Sequence, residues 1–224
     1  MKRTVKPAST VLAACLLLAA CGGEKRNPRV TAEQQCDGTV SSAAAPELRK
    51  VLDTEKFSDA PDGWLSRATR QVKDDYNAGE KWSRKSVRCK VASDPLSKSL
   101  TIELDLYTEG RLLGSASTSF MYPYEMGVEA HGGYRRAYVF TECVSPQLKG
   151  SSKSDPARIQ GILDVRRSTT PDTAAMREAN LIVLHSVLLA AVKELECENN
   201  AGLPERPMIK AKKPLVVWPT APPE

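Results

Sequence analysis

Histidine and aromatic residues are scarce in this chain: two histidines, and 5% Phe, Trp and Tyr, in 224 residues. A His-dependent hydrolase surrounds its base with a nucleophile and an orienting acid, and neither His131 nor His185 stands in such a motif. Also missing are a Gly-x-Ser-x-Gly elbow, a Walker-type phosphate loop, a His-Glu-x-x-His pair and a dinucleotide glycine fingerprint. No Cys-x-x-Cys occurs, and structural zinc sites are built from closely spaced pairs of that kind. Neither a metal nor another cofactor is therefore expected. The N-terminal hydrophobic run is short as well. The apolar stretch from about Val11 to Ala20 is shorter than the roughly twenty residues that a spanning helix needs.

What that stretch does have is a basic head, Lys2, Arg3 and Lys6, and a Cys at its end. A basic head before a short apolar body has the form of a signal peptide, here residues 1–20. Leu18-Ala19-Ala20-Cys21 at its end resembles the lipobox of bacterial prolipoproteins. The resemblance implies a diacylglyceryl thioether on Cys21 and cleavage before it. Leu12-Ala13-Ala14-Cys15 repeats the four letters, but the run behind Cys15 is too short and polar to lodge in a translocon. One acyl chain binds a membrane marginally, whereas two suffice for stable residence.

Removing the leader leaves 204 residues, the size of one domain with a full core. It also removes three of the 32 Lys and Arg, so 29 face 27 acidic residues. A net of +2 is not the balance of a nucleic-acid binder. Of the six cysteines, Cys36, Cys89, Cys143 and Cys197 remain beyond the leader and Cys21. Outside the membrane such a set reads as two disulfides, with three connectivities open.

Residues 21–35 carry one branched aliphatic residue, Val30, and no aromatic. They read as a flexible tether below a domain spanning 36–200. Ala44, Leu48, Val51 and Leu52 recur at helical spacing, and so do Trp64, Leu65, Ala68, Val72 and Tyr76, with Gly79 as a stop. The period then falls to two. Val87, Cys89 and Val91 alternate with Arg88 and Lys90, and Leu100, Ile102, Leu104 and Leu106 with Thr101, Glu103, Asp105 and Tyr107. Sheets with one wet face alternate in this way. Thr108-Glu109-Gly110 reads as a hairpin turn into a strand over about 111–122, followed by strands near 138–143 and 159–165. Residues 145–157 between the last two read as a mobile loop.

A long helix is expected from an N-cap at Thr170, with Pro171 at its first position, to about Glu196. Leu181, Leu184, Leu188 and Leu195 share its apolar face and His185 lies opposite, on its polar stripe. The tail, 201–224, holds six prolines and cannot be helical. The expected fold is therefore α+β: an antiparallel sheet of about five strands, with two short N-terminal helices and one long C-terminal helix mainly on one face.

Candidate chemistry is sparse. Glu103 and Asp105 share one strand face, about 6–7 Å apart, a spacing glycosidases use, but a solvated sheet face is the favoured reading. His131 before Gly132-Gly133 fits a turn between strands. Arg135-Arg136 and Arg166-Arg167 read as solvated faces with a weak attraction for anionic lipid or cell-wall polymer. The most suggestive surface spans Tyr122 to Tyr138, with Tyr122, Tyr124, His131, Tyr134 and Arg135 as candidate ligand-binding residues, because loop tyrosines offer large contact area at low entropic cost.

The lipobox, a Cys just before the first short helix, a central run of strands and a last helix ending in Glu-Leu-Glu-Cys before Gly-Leu-Pro together resemble small lipoproteins of high-GC Gram-positive bacteria. That resemblance implies a position on the outer face of the plasma membrane and supplies no catalytic residue. The reading is a lipid-anchored, extracytoplasmic binding or interaction module whose partner is a cell-envelope polymer or a membrane protein. An envelope-polymer hydrolase is the alternative, as is an accessory subunit of a membrane complex.

Overall fold

The computed structural model describes residues 30–58, 62–113, 120–166 and 171–213; Cys21, the leader and the run Leu215 to Trp218 lie outside them. Six strands form one antiparallel sheet in the order β1-β2-β6-β5-β4-β3. They are β1 (Arg88–Ala92), β2 (Ser99–Leu106), β3 (Tyr122–Tyr124), β4 (Glu129–Gly132), β5 (Arg136–Cys143) and β6 (Ala157–Arg166). A single turn, α1 (Gln35–Gly38), and the helices α2 (Ala45–Leu52), α3 (Trp64–Asn77) and α4 (Ala174–Glu194) complete the α+β fold.

The alternation in β2 sorts the sheet into two faces. Ile102 pairs with Cys89 and Leu163, and Leu104 with Gly161, so these residues look toward the helices. Thr101, Glu103 and Asp105 look the other way, beside Asp164, Ile162 and Gln160 of β6. Leu100, Ile102, Leu163, Leu181, Leu184 and Leu188 are fully buried between sheet and helix. Each such side chain contributes about 1.5–3 kcal/mol.

The sheet has six strands where about five are expected, because the turn at 108–110 does not return the chain beside β2. Both flanks of β2 are already occupied, by β1 and β6. Glu109–Arg111 forms a short 3-10 turn, and pairing resumes only with the short strands β3 and β4 at the far edge. Within the span expected for the third strand, Phe120 is exposed and residues 114–119 lie outside the described residues.

Helix α4 starts later than expected. Thr173 is its N-cap, with the hydroxyl accepting from the Met176 amide at 3.2 Å. His185 is buried rather than on a wet stripe. The flank opposite the sheet is covered by α2 and the chain before it: Ser186 Oγ donates to the Thr39 carbonyl and accepts from the Ser41 amide, each at 2.8 Å. By length and composition this helix would suit a membrane span, yet 72% of its apolar window is buried inside the domain.

The folded body also reaches past both expected boundaries. Val30 bridges Phe57, Thr31 and Gln34 close a capping box, and Ala32 and Gln35 are buried, so residues 30–35 are not tether. Beyond 200, Leu203 is buried, and an extended segment hydrogen-bonds along β3 through Glu125 N to Lys210 O and Lys212 N to Pro123 O. The loop over 145–157 is packed, with Leu148 buried and Ser145 Oγ donating to the Leu195 carbonyl.

Two disulfides resolve the open connectivity as Cys36–Cys89 and Cys143–Cys197. The first ties α1 to β1; the second ties the end of β5 to the chain leaving α4. Disulfides persist in oxidising compartments, so the pair is consistent with an extracytoplasmic protein.

Candidate functional site

The outer face of the sheet carries many charges, and most are matched. Arg136 pairs with Asp164, Arg158 with Glu109, and Arg88 with Glu103. Glu103 also accepts from Ser86 Oγ. Unmatched polar groups collect at one end, where β2 finishes.

There the chain after α3 is folded back and fixed. Asp75, fully buried, accepts from Gln71 Nε2 at 2.7 Å, from Arg84 Nε at 3.0 Å and from the Arg84 amide at 3.2 Å. Ser83 Oγ then accepts from the Leu106 amide at 3.1 Å, which clamps Lys81, Trp82 and Ser83 against the end of β2. On the opposite side, Asn77 donates to the Gln147 carbonyl and accepts from the Lys149 amide, and so holds the 145–156 loop against the end of α3.

Between these walls lie two cavities. One, of about 290 Å³, is bordered by Trp82, Ser83, Asp105, Arg111 and Gln160; the other, of about 620 Å³, by Tyr76, Lys149, Asp155 and Arg158. Both are also lined by Lys81, Leu106, Tyr107 and Thr108, so they form one groove that passes Tyr107.

Three features give this groove chemical character. Tyr107 and Gln160 are nearly inaccessible, at 4% and 3%, yet Tyr107 Oη and Gln160 Oε1 have no hydrogen-bond partner among the described residues. Leaving such groups unmet costs about 1–3 kcal/mol each. Burial, and then the charge of Glu142, pushes the Tyr107 phenol well above its ordinary range, so it stays a donor as well as an acceptor. Asp105 is half-buried and its carboxyl is likewise raised, first by burial and then by Glu103, against a hydrogen bond from Ser83. Finally, Trp82 stands 62% exposed at the rim.

The five residues read as a tyrosine-rich surface are not brought together. Tyr122 lies in β3 under the guanidinium of Arg177, 3.8 Å from its ring centroid. Tyr124 is buried on the same, helix-facing side, with its phenol raised by burial and offset by a hydrogen bond from Arg177. Tyr134 is half-buried in the β4–β5 turn, where its carbonyl accepts from Asn180. Arg135 is exposed and its carbonyl accepts from the Val165 amide. His131 is on the outer face within β4, not in a turn. It is fully buried beside Glu129, Nε2 to Oε1 2.9 Å, and Glu129 in turn accepts from the Leu113 amide.

Glu103 and Asp105 do share a face, and of the two only Asp105 lines the groove. Trp82, Tyr107 and Gln160 were not legible as site residues. The one available signal was an aromatic residue inside a polar connection, Glu80-Lys81-Trp82-Ser83.

Among the described residues no group of three or more His, Cys, Asp or Glu is arranged to hold a metal ion. No protein family, curated protein or solved structure matches this chain.

Proposed function

We propose that this protein is a lipid-anchored, extracytoplasmic binding module of the bacterial cell envelope, and that it takes a hydroxyl-rich stretch of envelope polymer in the groove beside Tyr107. The observation that carries the reading is a pair of residues lining one cavity, Tyr107 and Gln160, whose Oη and Oε1 are buried and have no hydrogen-bond partner among the described residues. A ligand bearing several hydroxyls supplies both donors and acceptors to such groups. The exposed indole of Trp82 offers a flat apolar face for a ring at low entropic cost. Charged groups of both signs along the groove, Lys81 and Lys149 against Asp105 and Asp155, suit a polar chain better than an apolar one.

Binding is better supported than hydrolysis, since Glu103, the acid that shares the strand face with Asp105, is engaged by Arg88 and Ser86 and does not line the groove. The anchor rests on the lipobox at Cys21, and the disulfides agree with export.

Titration of the mature protein with solubilised cell-wall glycan fragments, followed by tryptophan fluorescence, tests the site. A saturable change is expected, at least about tenfold weaker in Gln160→Ala, where one to two hydrogen bonds to a buried group account for the factor; Trp82→Ala removes the reporting indole, so its expected loss of binding is read by calorimetry. No change with any fragment overturns the assignment of the groove. Intact-mass measurement of membrane-extracted protein tests the anchor, with an unmodified Cys21 as the refuting result.

A further inference from the structure

The opposite end of β2 from the groove carries a second, differently built surface. Here Lys90 of β1 and Arg166 at the end of β6 border a cavity of about 380 Å³ together with Arg88, Lys98 and Leu96. Arg88 is paired with Glu103 and Lys98 with Asp53, whereas Lys90 and Arg166 have no ion-pair partner among the described residues. Nearby carboxylates are mostly taken: Asp164 is held by Arg136, and Asp94 is the one exposed acid on the β1–β2 loop. Leu96, at the tip of that loop, is 61% exposed.

This loop also lies where the chain enters the domain. Val30 bridges Phe57, Phe57 bridges Ser93, and the Asp94 amide donates to the Lys56 carbonyl. Nine chain steps join Val30 to Cys21, and fully extended they span no more than about 32 Å. An anchor at Cys21 therefore keeps Val30, and the strand end it bridges toward, within about 32 Å of the bilayer.

From these relationships we infer that the β1–β2 end of the sheet is a docking surface for anionic phospholipid, with Lys90 and Arg166 on headgroup phosphates and Leu96 entering the boundary with the acyl chains. An apolar tip flanked by unmatched cations is the pattern by which a peripheral surface binds a charged membrane. Docking in this way sets the groove at the other end of β2, seven residue steps or about 23 Å farther out, facing the envelope. The orientation rests on the proposed anchor; the lipid contact itself does not.

The test uses the mature chain with Cys21→Ser, so that no acyl group contributes, and measures co-sedimentation with vesicles of phosphatidylglycerol or of phosphatidylcholine at low salt. Retention by phosphatidylglycerol alone is expected. Lys90→Gln and Arg166→Gln should each weaken it about fivefold, as expected for one cation at an anionic surface, and Leu96→Asp should weaken it further. All three positions are exposed, so the variants should unfold at the parent temperature. Equal retention by both lipids, retention by neither, or variants indistinguishable from the parent would each overturn the inference. None of those results touches the acylation measured at Cys21 by mass, so the two claims fail separately.

Discussion

His185 Nε2 donates to the carbonyl oxygen of Pro204 across 2.9 Å and ties the last helix to the chain that follows it. Burial holds the imidazole neutral, with its pKa below the ordinary 6.5 despite the opposing pull of that carbonyl and of Glu205. In the unfolded chain the same ring protonates near 6.5. The neutral native ring is therefore favourable above that pH, and its contribution is lost as pH falls below it, where the unfolded state binds the extra proton. Melting temperature should drop between about pH 7 and pH 5. In His185→Gln, which keeps an N–H donor and does not titrate, the drop should be shallower; parallel curves for the two proteins would refute the assignment.

His185 also shows where the sequence stopped being legible. A helical wheel sorts residues by polarity and so assigns His185 and Ser186 to water. Both are buried because their polar atoms are met internally, by Pro204, Thr39 and Ser41. Those partners are 19 to 147 residues away in the chain, beyond the reach of any periodicity. By contrast β2 was readable residue by residue, since alternation reports which side of a sheet is wet. The groove was not, because it is assembled from three loops and strand ends whose meeting depends on Asp75 and Asn77, neither of which belongs to a motif.

Asp105 links stability to the proposed site. Its carboxyl is raised by burial and by Glu103, which means that the charged form is disfavoured in the native state at neutral pH. Stability contributed by such a group is greatest at acid pH and declines as pH rises through the raised value. Asp105→Asn should therefore raise the melting temperature at neutral pH while weakening glycan binding. Functional sites commonly trade stability for activity in that way. A lower melting temperature at neutral pH would show that Asp105 is there for structure.

The two disulfides close loops of nearly equal length, 53 and 54 residues. On the chain-entropy model each contributes about 4 kcal/mol. Replacing either pair by serine should lower the melting temperature by roughly 8–16 °C, at about 2–4 °C per kcal/mol for a domain of this size. Binding should separate them. Cys143–Cys197 borders the loop that supplies Lys149 and Asp155 to the groove, so Cys143→Ser/Cys197→Ser should weaken glycan binding at temperatures where the fold persists. Cys89 lies between Arg88 and Lys90, so the other pair should affect retention by anionic vesicles instead.

Gly161 marks the crossing of α4 over the sheet. It lies between Leu104 and Val139 in the register, and a β-carbon there would stand 3.0 Å from Leu184 Cδ1 and 3.4 Å from Leu188 Cδ2. The obstacle is the end of two leucine side chains, so alanine should be accommodated by a small shift. Valine adds branches with no space to enter and should cost about 1–3 kcal/mol by overpacking. Leu184→Ala alone should cost about 2–5 kcal/mol through the cavity it leaves. Together they should cost measurably less than the two values added, because the valine methyls occupy the space that Leu184 vacates. Denaturant unfolding of the four proteins measures the coupling, and strict additivity would mean that Gly161 and Leu184 do not meet in solution as the register requires.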